Sequence, residues 1–164
     1  MRVLRPARPE DADALAGILR AAMRGAMPWL PELHTPDDDR RFLREIVLPE
    51  HEVWVAEAED VVAGFTALGT RAGVEFMEHL YVAPEHQRRG IGTALMERAK
   101  ARRPAGFRLW VFQRNSGARD FYEHHGFRLA ELTDGSGNEE KEPDALYKWS
   151  GASTESASAD SVRA

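Results

Sequence analysis

The residues from Gln87 to Gly92, with the sequence QRRGIG, have the types and the spacing of an anion-binding turn. They join an apolar, strand-like run at 79–82 to an amphipathic, helix-like run at 93–100. Gly90 and Gly92 lack the side chains that would keep an anion away from the backbone, and the first amides of a helix point outward at its positive end. Two arginines add positive charge. The segment therefore predicts a site for a ligand that carries a pyrophosphate.

Two better-known phosphate loops fit this segment poorly. A nucleoside-triphosphate loop closes with Gly-Lys-Ser/Thr, whereas Gly92 is followed by Thr93 and Ala94 with no lysine. A dinucleotide-binding loop needs a third Gly or Ala and an acidic residue about 20 positions later. This chain has Leu95 at the third position and no carboxylate around Trp110. The motif alone also leaves open a plain strand-to-helix turn with solvated arginines.

A second segment, residues 115–127 (NSGARDFYEHHGF), has the pattern Asn-x-x-Ala-x-x-Phe-Tyr-x-x-x-Gly-Phe. This pattern resembles a helix of the GNAT N-acetyltransferase superfamily. The segment Gln87–Gly92 resembles the Gln/Arg-x-x-Gly-x-Gly/Ala loop of the same family, and the two motifs stand in the family's order and spacing. The resemblance covers residues 1–149, although only the two motif regions are specific.

The resemblance implies that acetyl-CoA is the co-substrate and that the glycine loop holds its pyrophosphate. By family position, the N–H of Leu80 would polarise the acetyl carbonyl, the N–H of Val82 would bind pantetheine, and the Asn115 amide would contact the CoA arm. The residues assigned in this way to acetyl-CoA binding are Leu80, Tyr81, Val82, Gln87, Arg88, Arg89, Gly90, Ile91, Gly92, Thr93, Asn115 and Arg119.

The implied reaction is direct attack of an amine on the acetyl thioester, which requires no nucleophilic side chain. The family position of Tyr122 implies the general acid, because a phenol of ordinary pKa about 10 is protonated at pH 7 and can protonate a leaving thiolate. Glu78 is the candidate general base, since strand alternation places it on the face of Leu80. A carboxylate is a weak base for an alkylammonium ion of ordinary pKa about 10.4, so one of the two groups must be perturbed. A packing role for Tyr122 and an exposed surface role for Glu78 remain the alternatives, and Glu75 is a lesser candidate base.

Two segments are candidates for recognition of the amine acceptor. In the family, the region equivalent to residues 23–49 forms one wall of the acceptor pocket, and here Trp29 either contacts substrate or packs between two helices. The long acidic loop at 133–144 would form another wall, where Asn138 and Glu139 are the candidate contacts for a cationic amine. A solvated surface loop is the alternative.

The histidine pattern does not suggest a metal site. His124 and His125 precede Gly126 at the end of the second motif, where imidazoles suit the negative end of a helix. The other histidines lack metal-ligand spacing, so no metal is expected.

Composition favours one globular domain. The 164 residues are 43% hydrophobic, which is enough to bury a core without disulfides or structural metals. The absence of cysteine excludes disulfides and thiolate metal sites and agrees with a cytoplasmic location. A net charge of −5 argues against sequence-independent nucleic-acid binding, and no apolar run is long enough to span a membrane. A homodimer is left open.

The order of periodic segments predicts a mixed α/β domain at residues 1–149 and a tail at 150–164 with too little apolar surface to pack. One helix should begin near Pro9, and a second should begin at Thr35 and end at Pro49. The second helix should have an apolar stripe formed by Phe42, Leu43, Ile46 and Val47. The resemblance implies the GNAT fold: a mostly antiparallel twisted sheet of about six or seven strands with a splayed parallel pair, flanked by about four helices.

These features predict an N-acetyltransferase that moves acetyl from acetyl-CoA to a primary amine of a small molecule or a peptide. The alternative is a non-catalytic acyl-CoA-binding or regulatory module that retains the fold without turnover. The presence of Glu78 and Tyr122 favours the enzyme.

Overall fold

The computed structural model describes residues 2–151, in which strands and helices alternate. The strands are β1 (Arg2–Pro6), β2 (Glu52–Ala58), β3 (Val61–Arg71), β4 (Val74–Val82), β5 (Phe107–Phe112), β6 (Arg128–Leu132) and β7 (Asp144–Trp149). The helices are α1 (Ala12–Ala26), α2 (Pro36–Phe42), α3 (Leu48–Glu50), α4 (Ile91–Arg102) and α5 (Ser116–His124), with a π-helical turn at Leu43–Val47 and 3-10 turns at Pro9–Asp11 and Pro84–His86. From residue 152 onward, the predicted tail lies outside the described residues.

Hydrogen bonds join seven strands into one sheet in the order β1-β2-β3-β4-β5-β7-β6. The pairs β1/β2, β2/β3, β5/β7 and β6/β7 are antiparallel. The pair β4/β5 is parallel, with Phe76 opposite Arg108. Within residues 2–151 the helices of seven residues or more are α1, α2, α4 and α5. The predicted class is therefore confirmed: a mixed α/β fold with a mostly antiparallel sheet and one parallel pair.

The chain divides into two compact units. The first consists of Met1–Gly69 and Met77–Ala99, and the second of Thr70–Phe76 and Lys100–Ala164. In the first unit, α1 buries one face against β2 and β3. The members of that core include Leu15, Ile18, Leu19, Leu43, Val47, Val55, Phe65 and Ala67.

The second helix begins as predicted and continues further than predicted. The Thr35 hydroxyl accepts a hydrogen bond from Asp38 N at 3.1 Å, and the Asp38 carboxylate accepts from Thr35 N at 2.9 Å, which forms a capping box. The prediction that Pro49 ends the helix was wrong, because helical structure runs on to Glu50. The π-helical turn has Leu48 N–H donating to the carbonyl of Leu43, and a proline in the first turn of the following segment needs no N–H.

The predicted apolar stripe of this helix is half correct. Leu43 and Val47 are fully buried, whereas Phe42 and Ile46 are 40% and 42% exposed. The prediction assumed 3.6 residues per turn throughout. In the structure a π-helical turn follows Phe42, and the Phe42 ring lies at the edge of the core, with its centroid 5.7 Å from that of His79.

In the second unit, β5, β7 and β6 form an antiparallel ladder with Leu109 opposite Tyr147 and Tyr147 opposite Leu129. The ring of Phe107 contacts those of Phe127 and Trp149 edge-on, with centroids 5.4 and 5.5 Å apart. This aromatic group lies between β5, β7 and the residue that precedes β6. It fixes the end of α5 relative to the ladder, because Phe127 N–H also donates to the Tyr122 carbonyl in α5.

A buried ion pair ties β1 to the start of α1 in the first unit. Two guanidinium nitrogens of Arg5 donate to the two carboxylate oxygens of Asp11, each at 2.9 Å, and Arg5 Nε donates to Glu57 at 2.5 Å. Arg8 N–H donates to the same Asp11 carboxylate at 2.7 Å. The hydrogen bonds from Arg5 lower the pKa of Asp11 below its ordinary value of 3.8.

Replacing Asp11 by Asn should lower the free energy of unfolding at neutral pH by about 3 kcal/mol, because it leaves the Arg5 guanidinium buried with one carboxylate partner fewer. The Asp11 pKa is lower in the folded state, so its contribution is complete above about pH 4 and is lost as the pH falls through the folded pKa. Urea unfolding at pH 7 and at pH 3 should therefore show a smaller difference between wild type and Asp11→Asn at the lower pH.

Asp13→Asn is the matched control for this experiment. Asp13 lies two residues further on, its side chain is 72% exposed, and its nearest Arg44 nitrogen is 3.4 Å away. An exposed pair of this kind contributes little to stability, so the variant should unfold like wild type at both pH values. Equal stability of Asp11→Asn and Asp13→Asn at pH 7 would contradict the role of the buried pair.

Candidate active site

The residues predicted to form the site are divided between the two units. Trp29, Glu78, the strand residues 80–82 and the turn 87–93 belong to the first unit. The second unit contains the predicted residues Asn115, Arg119, Tyr122, Asn138 and Glu139. The two groups therefore carry different parts of the predicted chemistry.

The glycine turn, residues 87–92, is exposed before α4 and leads directly into that helix. Residues 87–90 are exposed, whereas Ile91 is 2% exposed and packs with Leu95 against Ala56 and Ala63. The helix begins at Ile91, two residues earlier than predicted, and Ala94 N–H donates to the Gly90 carbonyl at 3.0 Å. The amides of Ile91 and Gly92 therefore lie in the first turn, where no preceding helical carbonyl is available to them.

The turn has an unusual backbone at two positions. Arg88 has φ of 64° and Gly90 has φ of 80°, both in the left-handed region. The conformation suits Gly90 and costs energy at Arg88, which has a side chain. Gln87 Nε2 donates to the Val82 carbonyl at 3.1 Å and so ties the turn to the end of β4. Successive residues in right-handed and left-handed backbone conformations can direct their N–H groups to one point, as they do in anion-binding turns.

Strand β4 has different surroundings on its two faces. Leu80 and Val82 pack against the cluster that contains Ile91 and Leu95. The Tyr81 ring lies 5.9 Å from that of Phe65 and 6.0 Å from that of His79, so its side chain belongs to the core that α1 covers. For Tyr81, the backbone is therefore the part suited to a cofactor contact.

Glu78 borders a histidine that sequence reasoning did not select as functional. A side-chain carbon on Gly69 would lie 2.6 Å from His51 Cδ2 and 3.6 Å from Glu78 Cγ, so both side chains occupy the space above Gly69. His51 Nδ1 is 3.1 Å from the Val47 carbonyl, and the His51 and His79 ring centroids are 6.5 Å apart. No sequence motif indicates this group, because His51 precedes β2 and Glu78 lies in β4.

The helix α5 carries the candidate general acid. Asn115 caps this helix, since its Oδ1 accepts from Ala118 N at 3.3 Å. The Tyr122 ring is half-buried, with centroids 5.6 Å from Phe121 and 5.9 Å from Phe127. The end of the helix agrees with the predicted turn, because Gly126 has φ of 87° and Lys100 Nζ donates to the His125 carbonyl at 2.5 Å.

Arg119 is engaged by the ladder of the second unit. Its Nε donates to the Tyr147 hydroxyl at 3.0 Å and its Nη1 donates to the Gln113 carbonyl at 3.2 Å. The Tyr147 hydroxyl in turn donates to Glu123 at 2.5 Å, and burial raises the pKa of Tyr147 above its ordinary value of 10.0. Arg119 thus has a structural role that sequence reasoning did not predict, and its cofactor contact stays a prediction.

The loop at 133–144 is folded by its own hydrogen bonds. The Asn138 amide donates to the Glu142 carbonyl at 2.7 Å and to Asp144 at 3.2 Å, and it accepts from Glu142 N at 3.2 Å. Arg114 forms a two-pronged ion pair with Glu142 at 2.9 and 3.0 Å. Asn138 therefore supports the loop, while Glu139 is exposed on it.

Trp29 is half-buried and lies in the turn after α1, where the Met27 carbonyl accepts from Leu30 N at 3.0 Å.

Among residues 2–151, no group of three or more His, Asp or Glu side chains is arranged to hold a metal ion. Over the same residues, no helix combines the length and the apolar character of a membrane span.

Comparison with known proteins assigns the family. The family model described as "Acetyltransferase (GNAT) domain" matches residues 49–129. The peptidyl-lysine N-acetyltransferase YjaB of Salmonella typhimurium is 31% identical over 130 residues, which cover 77% of this chain and 83% of that protein. The chain belongs to the GNAT acetyltransferase family. This confirms the predicted family.

One further relative and one solved structure are similar to this chain. The peptidyl-lysine N-acetyltransferase YiaC of Escherichia coli is 34% identical over 90 residues, which cover 55% of this chain and 59% of that protein. The match thus spans less than two thirds of the length of YiaC. The crystal structure of the PaiA N-acetyltransferase of Thermoplasma acidophilum in complex with coenzyme A has a TM-score of 0.75 and 23% identity, and the match covers 92% of this chain and 99% of that one. This likeness supports the GNAT fold.

Proposed function

We propose that this chain is an acetyl-CoA-dependent N-acetyltransferase whose acceptor is the side-chain amine of a lysine in a peptide or protein. The observation that carries the proposal is the exposed turn before α4, which combines two arginines, left-handed backbone at Arg88 and Gly90, and the first helical amides. The acceptor class is supported by the names of the YjaB and YiaC relatives, both of them peptidyl-lysine N-acetyltransferases.

The residues of the turn fit the pyrophosphate of CoA. A pyrophosphate needs hydrogen-bond donors and positive charge, and the turn offers amides at Ile91 and Gly92 with Arg88 and Arg89 beside them. Among the described residues neither arginine forms an ion pair with a carboxylate. Their charge is therefore available for an anionic ligand.

When bound, acetyl-CoA supplies a thioester that is activated for attack by an amine. In our proposal the Leu80 N–H polarises the acetyl carbonyl, the Val82 N–H orients the pantetheine arm, and Tyr122 donates a proton to the departing thiolate. Glu78 receives the proton of the amine, directly or through water. Attack by the amine then needs positioning and proton transfer, with no covalent intermediate on the protein.

The acidic loop is a further candidate for attracting the acceptor. The Ser136 N–H donates to the Asp134 carboxylate at 2.9 Å and lowers the pKa of that group below its ordinary value of 3.8. At neutral pH a carboxyl group is charged with or without this shift. The exposed Glu139 lies on the same loop, and the hydrogen bonds of Asn138 fix the shape of the loop. Fixed negative charge raises the local concentration of a cationic amine.

The acceptor can be identified by mapping the acetylated atom. A peptide with a free N-terminus and a single lysine is incubated with acetyl-CoA and the protein, and fragment mass spectra locate the acetyl group. We expect acetylation of the lysine side chain. A peptide with norleucine in place of that lysine is the control and should remain unmodified. Acetylation at the α-amine of both peptides would contradict the lysine assignment and would leave the acetyltransferase proposal intact.

A further inference from the structure

A third arginine contacts the glycine turn from a distant part of the chain. Arg2 Nη1 in β1 donates to the Arg89 carbonyl at 2.9 Å, although the two residues are 87 positions apart. The same nitrogen lies 3.0 Å from the place that a side-chain carbon on Gly90 would occupy. Both residues are in the first unit, and the Arg2 side chain is exposed. The guanidinium of Arg2 therefore lies directly against the backbone of the turn.

The charge of Arg2 is not neutralised within residues 2–151, where it forms no ion pair with a carboxylate. Arg5, in the same strand, shows the opposite arrangement, since it pairs with both Asp11 and Glu57. The whole chain has 27 acidic residues against 22 Lys and Arg, so surface arginines have many potential partners. Three arginines that form no carboxylate ion pair with the described residues (Arg2, Arg88 and Arg89) meet at one turn, which is the arrangement expected of an anion site.

The backbone of the turn also needs support. Arg88 has φ of 64°, and this left-handed conformation is unfavourable for a residue that has a side chain. The hydrogen bond from Arg2 holds the carbonyl of the next residue, Arg89, between the two left-handed positions. A charged donor makes a stronger hydrogen bond than a neutral one, so Arg2 is well suited to keep the turn in this shape before a ligand arrives.

We propose that Arg2 is a positioning residue of the glycine turn, an inference that rests on the proposed function. It holds the Arg89 carbonyl and adds a third positive charge beside the pyrophosphate position. Its effect is on binding of the pyrophosphate, which CoA and 3′-dephospho-CoA share. Recognition of the 3′-phosphate of CoA is the other way in which an arginine at this place could act, and the two ligands distinguish these cases.

The test measures the affinities of CoA and 3′-dephospho-CoA by calorimetry for wild type, Arg2→Gln and Arg2→Lys. We expect Arg2→Gln to bind both ligands about tenfold more weakly, as for loss of one charged hydrogen bond at a phosphate site. Arg2→Lys retains the charge and should lose less. In turnover, Arg2→Gln should raise the KM of acetyl-CoA by a similar factor and leave kcat within about twofold, because the proposal assigns the proton transfers to Glu78 and Tyr122 and none to Arg2.

Arg128→Gln is the matched control, since it removes one exposed arginine charge from β6 in the second unit. It should bind both ligands like wild type. Thermal unfolding of each variant separates loss of binding from loss of fold. If folded Arg2→Gln bound both ligands within twofold of wild type, the inference would be overturned. It would also be overturned if the variant lost affinity for CoA and kept its affinity for 3′-dephospho-CoA. Failure of the wild-type protein to bind either ligand would instead contradict the proposed function.

Discussion

Replacing Tyr122 by Phe should lower kcat by about 100-fold and leave the affinity for acetyl-CoA near that of wild type. The substitution keeps the ring that contacts Phe121 and Phe127 and removes the hydroxyl proposed to protonate the thiolate. The effect should therefore appear in the chemical step. Steady-state kinetics with saturating acceptor, together with CoA calorimetry, give the two quantities.

The same variant also tests the packing alternative for Tyr122. If the residue only packs, Tyr122→Phe should keep kcat within threefold of wild type, since phenylalanine fills the same space. That outcome would move the general acid to another group. Thermal unfolding is the control, because a folded variant with normal CoA affinity and low kcat separates the two explanations.

Replacing Gly90 by Val should weaken CoA binding by at least about tenfold. Gly90 has φ of 80°, which a β-branched residue adopts only with strain, and its new side chain would meet Arg2 Nη1 at 3.0 Å. The turn would have to change shape to relieve both problems. Its amides and the Arg89 carbonyl would then leave the arrangement proposed to bind pyrophosphate.

Gly73→Val provides a matched control for this substitution. Gly73 has φ of 79° in the β3–β4 turn of the second unit, and no atom lies within 4 Å of its added side-chain carbon. The backbone strain is thus nearly the same at a different place. Calorimetry should show normal CoA affinity for Gly73→Val and reduced affinity for Gly90→Val. Equal affinities of the two folded variants would exclude the glycine turn as the CoA site.

Much of the fold follows from local sequence signals. The Thr35-Pro36 pair with Asp38 three residues after Thr35 predicts a capped helix start, and the structure contains that capping box. The strand-like run at 79–82 forms the end of β4 in the structure. Such signals depend on neighbouring residues, so they can be found without knowledge of the tertiary structure.

Other features depend on contacts that no local pattern encodes. The π-helical turn at Leu43–Val47 departs from the 3.6-residue period that the prediction assumes, and helical structure continues past Pro49 to Glu50. The contact of Arg2 with Arg89 and the shared space of His51 and Glu78 join residues far apart in sequence. The sequence motifs therefore indicate a candidate turn and a candidate strand, and they do not identify the distant residues that contact them.

A non-catalytic acyl-CoA-binding module would share the turn and the fold with the enzyme. Binding measurements alone cannot separate the enzyme from the binding module, since both should bind CoA through the glycine turn. What distinguishes them is turnover, which requires the proton transfers assigned to Glu78 and Tyr122.

The most direct test of the account is release of free thiol from acetyl-CoA in the presence of a lysine peptide with a blocked N-terminus. Wild type should release thiol at a rate that saturates with both substrates, and Tyr122→Phe should release it about 100-fold more slowly. The same peptide with norleucine in place of lysine gives the background. Tight binding of acetyl-CoA with thiol release no faster than this background, for the lysine peptide and for a panel of small amines, would contradict the account and support the binding module.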